Sequence, residues 1–321
     1  MKRIRMLLGL VLLLCACRAQ TIEAPQATLP TRAAVSAIAA TPATERAQAT
    51  PDGGEAGMVI ETAAATPTVD PFAAHFSDVP VKTERSYTSK RLSITVTDYA
   101  ADGTYGRHVT YHVADIYVRS VESIRAEAAQ GDFGTRYTRP VKEIADDAGA
   151  LLAIAGDTYT RERKSFVVRN GVLYRDTPIE NTDLCILYRN GVMETKKWGT
   201  FTAQEIIDSD PWQVWGFGPA LLDEDGKAME ITHRLMGHNP RTAIGYYEPG
   251  HYCFVVVDGR GESVGVTLNS LSRLMEDLGC VVAYNLDGGG SAQLYWDGEI
   301  VSAPCNETRV ISDIIYLLPE E

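Results

Sequence analysis

The segment Asn285-Leu286-Asp287-Gly288-Gly289-Gly290-Ser291 places an acidic residue and three consecutive glycines between two apolar runs. Both runs, residues 280–284 and 292–296, are short enough to predict buried strands. Glycines lose much conformational entropy on ordering, so three in a row indicate positive φ angles or a close approach to the backbone. The N–H groups of such a turn can bind an anion, beside Asp287 and the Ser291 hydroxyl. A tight turn without a ligand would give the same pattern. The choice between a ligand-binding turn and a purely structural one therefore depends on the surrounding sequence.

Other polar residues stand where predicted apolar strands end. They are Asp157, Arg241, Asp258 and Asp313. A single aspartate in such a place is often a turn former. Several together favour a shared cleft, because a rigid sheet holds the side chains at its strand ends in fixed positions. We therefore expect Asp157, Arg241 and Asp287 to face one hollow beside the triple glycine.

The periodicity of the chain predicts the fold class. Asn170-Gly171 and Asn190-Gly191, each between apolar residues, predict two hairpins with type I′ turns. Helical patterns cover residues 120–130, 141–148 and 268–278, and a capping box at Thr202 begins a short helix through Asp208. Strands outnumber helices, which predicts an α+β protein with a single mixed-sheet domain over residues 84–321.

The N-terminal region predicts export. Residues 1–17 combine a basic start with an apolar run at 6–14 that is too short for an ordinary membrane span. Leu14-Cys15-Ala16-Cys17 is similar to a bacterial lipobox, with Cys17 as the lipidated residue; a cleaved signal peptide that contains two cysteines is the alternative. Residues 18–83 are rich in Ala, Thr and Pro, which predicts a disordered linker. The protein is thus expected at the outer face of a bacterial membrane, as a lipoprotein, or outside the cell.

The composition of the chain limits the kinds of partner that it is expected to bind. A net charge of −12 and a pI near 5.0 argue against nucleic acid, which needs a basic face. Beyond Cys17 the cysteines show no Cys-x-x-Cys spacing, and the six histidines show no metal-ligand spacing. No cofactor is expected, although acidic residues are suited to a calcium ion. Disulfide pairing and oligomeric state do not follow from the sequence.

Four motifs occur in one order: Asn239-Pro240-Arg241-Thr242-Ala243-Ile244-Gly245, Val257-Asp258-Gly259-Arg260, the triple-glycine segment, and Arg309-Val310-Ile311-Ser312-Asp313. With them the chain resembles the phosphodiester glycosidase family from about residue 108 to 318. The resemblance implies hydrolysis of the bond between an anomeric carbon and phosphate, with sugar phosphates of the envelope or of exported glycans as substrates. In one departure, Ala155 stands where relatives commonly carry Asn.

The chemistry of this reaction suggests the roles. An oxocarbenium-like state requires a carboxylate, for which Asp287 is the predicted nucleophile or base and Asp157 the second carboxylate. Arg241 and Arg309 are predicted to bind the phosphate with the amides of Gly288, Gly289 and Gly290. Asp258 is a further catalytic candidate, and Asp258 and Asp313 alternatively orient the arginines. Further substrate contacts are predicted at Thr242, Ser291, Ser312 and Asp313.

Two other functions fit the same sequence. A non-catalytic glycan-binding module is consistent with Ala155 and with three tryptophans, Trp212, Trp215 and Trp296, because aromatic faces suit sugar rings as well as cores. A metal-dependent phosphodiesterase that breaks the phosphorus–oxygen bond is the third hypothesis.

Overall fold

The computed structural model describes residues 70–160, 165–232, 237–303 and 308–320. The predicted export signal with Cys17 and the predicted linker up to residue 69 lie outside these residues, as does Cys305. The described helices are α1 Val141–Asp147, α2 Ala203–Asp208 and α3 Leu268–Asp277. None of the helices in the described part of the chain has the length and apolar character needed to span a bilayer.

The described strands dominate the structure. They are β1 Val81–Lys82, β2 Ser86–Thr88, β3 Leu92–Asp102, β4 His108–Val118, β5 Arg125–Ala128, β6 Leu152–Ala155, β7 Ser165–Arg169, β8 Val172–Thr177, β9 Leu184–Tyr188, β10 Met193–Lys196, β11 Pro211–Trp215, β12 Arg241–Glu248, β13 His251–Val257, β14 Val282–Leu286, β15 Leu294–Trp296, β16 Glu299–Ile300 and β17 Asp313–Leu317.

These strands form three sheets. The seven-stranded sheet has the order β1-β2-β3-β4-β13-β12-β14, and the two five-stranded sheets have the orders β10-β9-β11-β7-β8 and β16-β15-β6-β17-β5. The predicted α+β class is confirmed, with strands in the majority. Where the sequence predicted a mixed sheet, the strand pairs among the described residues are all antiparallel.

The centre of the seven-stranded sheet is buried on both faces. On one face Ile244 and Phe254 belong to the largest apolar cluster. On the other face Ala243 and Val255 pack with Leu271 of α3. Successive residues of a strand point to opposite faces, so β12 and β13 become continuous apolar runs when both faces are covered. This arrangement fixes the ends of β12, β13 and β14, where the candidate site lies.

Two sequence-based assignments were wrong. Residues 120–130 do not form the predicted helix: Val121–Ser123 is a short 3-10 turn and Arg125–Ala128 is strand β5, which pairs with β17. Their Glu and Ala content favours a helix in isolation, but Ala126 and Ala128 are buried here on one face of an edge strand. Tertiary pairing has outweighed local propensity.

The predicted linker also ends earlier than residue 83. Residues 70–83 contain a 3-10 turn and strand β1. The Phe72 ring lies 5.3 Å from the Tyr117 ring, and the Asp70 carboxylate lies 2.6 Å from the Arg119 guanidinium, which also covers the Phe76 ring. A few aromatic and charged side chains therefore order a segment whose overall composition is typical of disorder.

The hairpin predictions are confirmed, and the turn type is confirmed at one of the two. Asn170 and Gly171 both have positive φ angles, 52° and 75°, as a type I′ turn requires. At the second hairpin the loop comprises residues 189–192, and of its residues only Gly191 has a positive φ, 85°. In this longer loop Asn190 does not adopt the left-handed conformation. The Asn190 side chain instead accepts a hydrogen bond from the Val192 N–H.

Candidate active site

Arg241 and Asp287 lie at the same end of the seven-stranded sheet. Arg241 begins β12, Asp287 follows β14, and the register pairs Thr242 with Leu286. Gly288 passes so close to this strand that a Cβ on it would lie 2.8 Å from the Pro240 carbonyl oxygen. The second of the three glycines, Gly289, has a φ of +61°, which L side chains rarely adopt. The triple glycine is therefore explained by one close approach and one left-handed residue.

The predicted anion nest of three amides is incomplete. The Gly289 N–H donates to the Pro240 carbonyl at 2.8 Å, so this amide is already used. Gly288 is extended, with φ −115° and ψ −154°, and Gly289–Ser291 forms a 3-10 turn. At least one of the three amides is therefore not available to an anion, and the charged side chains around the turn are the other groups that can attract one.

Two guanidinium groups converge on Gly289. A Cβ built on this residue would lie 3.3 Å from Arg260 Nη2 and 3.4 Å from Arg309 Nη2. Arg309 donates from Nη2 to the Asp287 carboxylate at 3.1 Å and to the Gly288 carbonyl at 2.5 Å. Arg260 donates to the Asn239 side-chain oxygen at 2.9 Å. Arg260 was not predicted as a site residue, although it stood in the quoted motif Val257-Asp258-Gly259-Arg260.

Arg241 adds a third cation, close enough to Arg260 for the two charges to interact. Its side chain is buried, with Nε donating to the Val266 carbonyl and Nη2 to the Gly237 carbonyl. Burial, reinforced by the positive charge of Arg260, lowers the pKa of Arg241 to about 10. An anion bound nearby would stabilise the charged guanidinium. We call Arg241, Arg260 and Arg309 with Asp287 and the triple glycine the arginine turn.

Asp157 and Asp313 lie in a separate, buried group. Arg169 Nη2 contacts the Asp157 carboxylate at 2.8 Å, and Arg169 Nε contacts the Asp313 carboxylate at 2.7 Å. Asp157 also accepts from the Tyr159 and Gly216 N–H groups, and Asp313 accepts from the Asp157 N–H. We call Asp157, Arg169 and Asp313 the ion triad. Asp313 thus pairs with an arginine, as one alternative predicted, but with Arg169 rather than with Arg241 or Arg309.

Burial dominates the electrostatics of the ion triad. Desolvation raises the pKa of Asp313 to about 7, which the Arg169 charge opposes and the Asp157 charge reinforces. Burial alone would lower the pKa of Arg169, but the charges of Asp157 and Asp313 outweigh it and raise that pKa. Arg169 was missed because it stood inside a segment assigned to a hairpin. A cation at the end of an apolar strand was the available signal.

The two groups touch through the backbone. The Asp287 N–H donates to the Gly156 carbonyl at 3.1 Å, so the positions of Asp157 and Asp287 are close, as predicted. The side chains diverge, because the Asp157 carboxylate is held by Arg169 while Asp287 is held by Arg309. The three predicted residues are thus divided between the ion triad, which holds Asp157, and the arginine turn, which holds Arg241 and Asp287; all three are buried.

Asp258 contacts a histidine rather than the arginines. One carboxylate oxygen accepts from the Thr110 hydroxyl and lies 2.9 Å from His112 Nε2, and the other accepts from the Ala303 N–H. His112 Nδ1 lies 2.7 Å from the Asp98 carboxylate. Burial opposes protonation of His112, but its hydrogen bonds to Asp258 and Asp98 outweigh this and raise its pKa. In this structure Asp258 therefore orients His112, a residue that the sequence did not indicate.

Three predicted substrate contacts are sealed in the interior. Thr242 and Ser291 are fully buried, and their hydroxyl oxygens have no hydrogen-bond partner among the described residues. The buried Ser312 hydroxyl pairs with the Thr160 hydroxyl at 2.5 Å. All three side chains are buried, so a direct contact with substrate would require them to move.

The features that favoured other functions are also buried. Ala155 is fully buried in the apolar cluster under α1, where its side chain contributes packing. Trp212, Trp215 and Trp296 belong to the main core, so they offer no open face to a sugar. Within the described ranges, no group of three or more His, Cys, Asp or Glu side chains is arranged to hold a metal ion, calcium included.

Comparison with known proteins identifies the family to which the chain is similar. A sequence model described as phosphodiester glycosidase matches residues 148–318. The N-acetylglucosamine-1-phosphodiester alpha-N-acetylglucosaminidase of Bos taurus is 38% identical over 236 residues, 67% of this chain and 44% of that protein. The SPbeta prophage-derived uncharacterized protein YomE of Bacillus subtilis (strain 168) is 24% identical over 275 residues, 77% of this chain and 42% of that protein. The chain spans less than half the length of these relatives.

Solved structures share the fold. The zebrafish N-acetylglucosamine-1-phosphodiester alpha-N-acetylglucosaminidase catalytic domain, described as auto-inhibited by its pro-peptide, aligns with a TM-score of 0.57 and 23% identity over 72% of this chain and 85% of that one. A hypothetical protein from Synechocystis aligns with a TM-score of 0.51 and 14% identity over 72% and 63%. The sequence match covers more than half of the 321 residues and includes Arg241, Asp287 and Arg309. The chain belongs to the phosphodiester glycosidase family.

Proposed function

We propose that this protein hydrolyses the glycosidic bond of a sugar-phosphate phosphodiester. The observation that carries the proposal is the convergence of the Arg260 and Arg309 guanidinium groups on Gly289, directly beside the Asp287 carboxylate. A substrate that joins an anomeric carbon to phosphate needs cations for the phosphate and a carboxylate for the sugar. Membership of the family, and the bovine relative named for an N-acetylglucosamine phosphodiester, support this reaction class.

Each charged residue of the arginine turn that contacts the substrate has a separate role in the reaction. The bond between the anomeric carbon and the phosphate oxygen breaks, and its electron pair leaves with the phosphate monoester. Arg260 and Arg309 stabilise the charge on that leaving group. Asp287 stabilises the positive charge that develops at the anomeric carbon or attacks it directly, oriented by its hydrogen bond from Arg309. Water finally supplies the hydroxyl group of the released sugar.

We also propose that the protein acts outside the cytoplasm, on envelope or exported glycans. The basic and apolar residues 1–14, the small residues before Cys17 and the Ala/Thr/Pro-rich linker support this location. Cys17 is then the site of a lipid anchor. Incorporation of a labelled fatty acid into the wild type but not into Cys17→Ser would support the anchor, and equal labelling would exclude Cys17.

The hydrolase is tested with the full chain and N-acetylglucosamine 1-(methyl phosphate) in ¹⁸O-labelled water. The wild type is expected to release N-acetylglucosamine and an unlabelled methyl phosphate, because water attacks carbon and not phosphorus. Asp287→Asn is expected to release sugar at least about 100-fold more slowly, the scale found when a preorganised charge-stabilising group is lost. Label in the phosphate would instead indicate a phosphodiesterase.

A matched control separates the site from the general loss of a carboxylate. Asp297→Asn removes an exposed carboxylate that pairs with Lys82 at 2.8 Å and has no proposed role in the reaction. We expect it to retain wild-type activity. Equal sugar release by the wild type, Asp297→Asn and Asp287→Asn would reject the role of Asp287.

A non-catalytic glycan-binding role is the second candidate. It is favoured by the ion triad, which holds the Asp157 carboxylate in buried hydrogen bonds and so removes the predicted second carboxylate from the arginine turn. Binding of phosphoglycans by the full chain, without any sugar release, would favour this role over hydrolysis.

A further inference from the structure

Arg260 belongs to a short loop that is attached to the sheet at both ends. At one end the Asp258 carboxylate bonds to the Thr110 hydroxyl and to His112 of β4. At the other end the Ser263 hydroxyl accepts from the Thr110 N–H and donates to the Asp258 carbonyl. Arg260 lies between these attachments with a φ of +61°, a left-handed conformation that surrounding structure must maintain. The position of its guanidinium at Gly289 therefore depends on the attachment of Asp258.

His112 is the buried centre of this attachment. Each of its ring nitrogens meets a carboxylate, Asp98 from β3 and Asp258 after β13. The remaining oxygen of Asp98 accepts from Arg85 at 3.1 Å, and Ala303 holds the remaining oxygen of Asp258. An imidazole with two carboxylate partners serves both of them only when both nitrogens carry protons. The raised pKa of His112 agrees with a protonated ring.

The network borders a cavity that opens beside the arginine turn. This cavity, of about 460 Å³, is lined by Asp98, Thr110, His112, Asp258, Arg260 and Glu262 among others. Arg260 forms part of its wall and also reaches Gly289, so it joins the cavity to the turn. His112 contacts the Arg260 loop through the Asp258 carboxylate, so the connection from His112 to Arg260 runs through Asp258.

We propose that His112 is a positioning residue: with Asp98 and Asp258 it clamps the loop that presents Arg260 to the phosphate of the substrate. The proposal rests on the proposed function and concerns its phosphate contact alone. Loss of the clamp frees the loop, and Arg260 then spends less time at Gly289. Phosphate affinity falls, while the groups that act on the sugar carbon keep their places.

The pH dependence has a defined sign. Below the raised pKa of His112 the ring is an imidazolium that donates to both Asp98 and Asp258, and the clamp is complete. As the pH rises through that pKa the ring loses one donor, so the clamp weakens. The charged groups around the ring are Asp98 and Asp258, with Arg85 on Asp98 and with Arg260 and Glu262 in the cavity wall. Phosphate itself titrates near neutral pH, so the wild type is compared with a variant that lacks the imidazole at each pH. The affinity of the wild type relative to this variant should fall on the alkaline side.

The test compares His112→Gln with His108→Gln in the full chain. His108 lies on the same strand and contacts Asp102 of β3 at 2.8 Å, but its side chain is exposed, so it is a matched control. We expect His112→Gln to bind inorganic phosphate about tenfold more weakly by calorimetry and to raise KM for the methyl diester similarly, with a smaller change in kcat. His108→Gln should match the wild type in both measurements. Unchanged phosphate affinity in a folded His112→Gln would overturn the proposal.

A double-mutant cycle shows whether His112 acts through Arg260. In an Arg260→Gln background, His112→Gln should cause no further loss of phosphate affinity, because the residue it positions is gone. Additive losses would overturn the clamp. Asp98→Asn, which keeps the imidazole and Asp258, serves as a milder variant if His112→Gln does not fold, and it should weaken phosphate binding in the same direction. A wild type that binds phosphate but cleaves no diester would count against the proposed function and leave the clamp supported by affinity alone.

Discussion

The ion triad and the arginine turn lie on either side of one backbone hydrogen bond, from Asp287 to Gly156, yet their charges are arranged differently. In the ion triad two carboxylates surround one guanidinium, and all three side chains are buried. In the arginine turn the buried Asp287 carboxylate accepts from Arg309, whose side chain is 40% exposed, while Arg260 lies at Gly289 and Arg241 is buried near Arg260. The first arrangement satisfies its charges internally, whereas the second has an excess of positive charge beside solvent.

From this difference we propose that the ion triad stabilises the fold and that the arginine turn meets a ligand. A buried charge that loses its partner is strongly destabilising. The ion triad therefore holds together the ends of strands β6, β7 and β17, which come from the two five-stranded sheets. An excess of cations at a glycine turn instead favours an anion from outside the protein. Sequence reasoning treated Asp157, Asp287 and Asp313 as members of one site, because all three follow or begin apolar strands.

The strongest test of this comparison removes the centre of the ion triad. Arg169→Met leaves the Asp157 and Asp313 carboxylates buried without their cation, and we expect it to lower the free energy of unfolding by about 3–5 kcal/mol. Urea denaturation followed by tryptophan fluorescence measures the change. Arg260→Met is the control: it removes an exposed guanidinium of the arginine turn that donates to the neutral Asn239 side chain, and it should lower the free energy of unfolding by less than about 1 kcal/mol. Equal losses in the two variants would show that the groups do not differ in kind.

A pH series examines the same triad without removing its cation. The pKa of Asp313 is raised to about 7 by burial, so the folded protein holds a proton that the unfolded chain releases near pH 4. The contribution of this proton to stability is complete below about pH 4 and is lost as the pH rises toward 7. Asp313→Asn cannot titrate, so the stability of the wild type relative to this variant should decline from pH 4 to 7. A constant difference across that range would contradict the raised pKa.

A third prediction measures the arginine turn by activity. Arg309→Met removes the hydrogen bonds to Asp287 and to the Gly288 carbonyl, and kcat/KM for the methyl diester should fall about 100-fold, which corresponds to about 2.7 kcal/mol. Arg309→Lys keeps the charge but loses the forked geometry, so its activity should lie between those of the wild type and Arg309→Met. Initial rates of sugar release provide the measurement. A fully active Arg309→Met would remove this arginine from the proposed site.

The sequence was most informative where local chemistry and tertiary structure agree. The apolar periodicity of residues 268–278 and the capping box at Thr202 specify α3 and α2, because a helix needs one apolar face and a satisfied first turn. The triple glycine fixed the turn at Asp287. The helix predicted for residues 120–130 was wrong, because the strand that pairs with this segment, β17, lies far away in the chain. Local propensity contains no information about that pairing.

The sequence by itself determined the export-like N-terminal pattern, the α+β class and the four motifs that identify the family, since each is written in neighbouring residues. Only the tertiary structure decided how the motif residues are divided. In the folded protein Asp157 and Asp313 pair with Arg169 in the interior. Asp258 contacts His112. Arg260 lies beside Arg309 at Gly289. The physical reason is that a charged side chain takes its partner from whatever the packed sheets bring within a few ångströms, and that distance depends on the register of strands from distant parts of the chain.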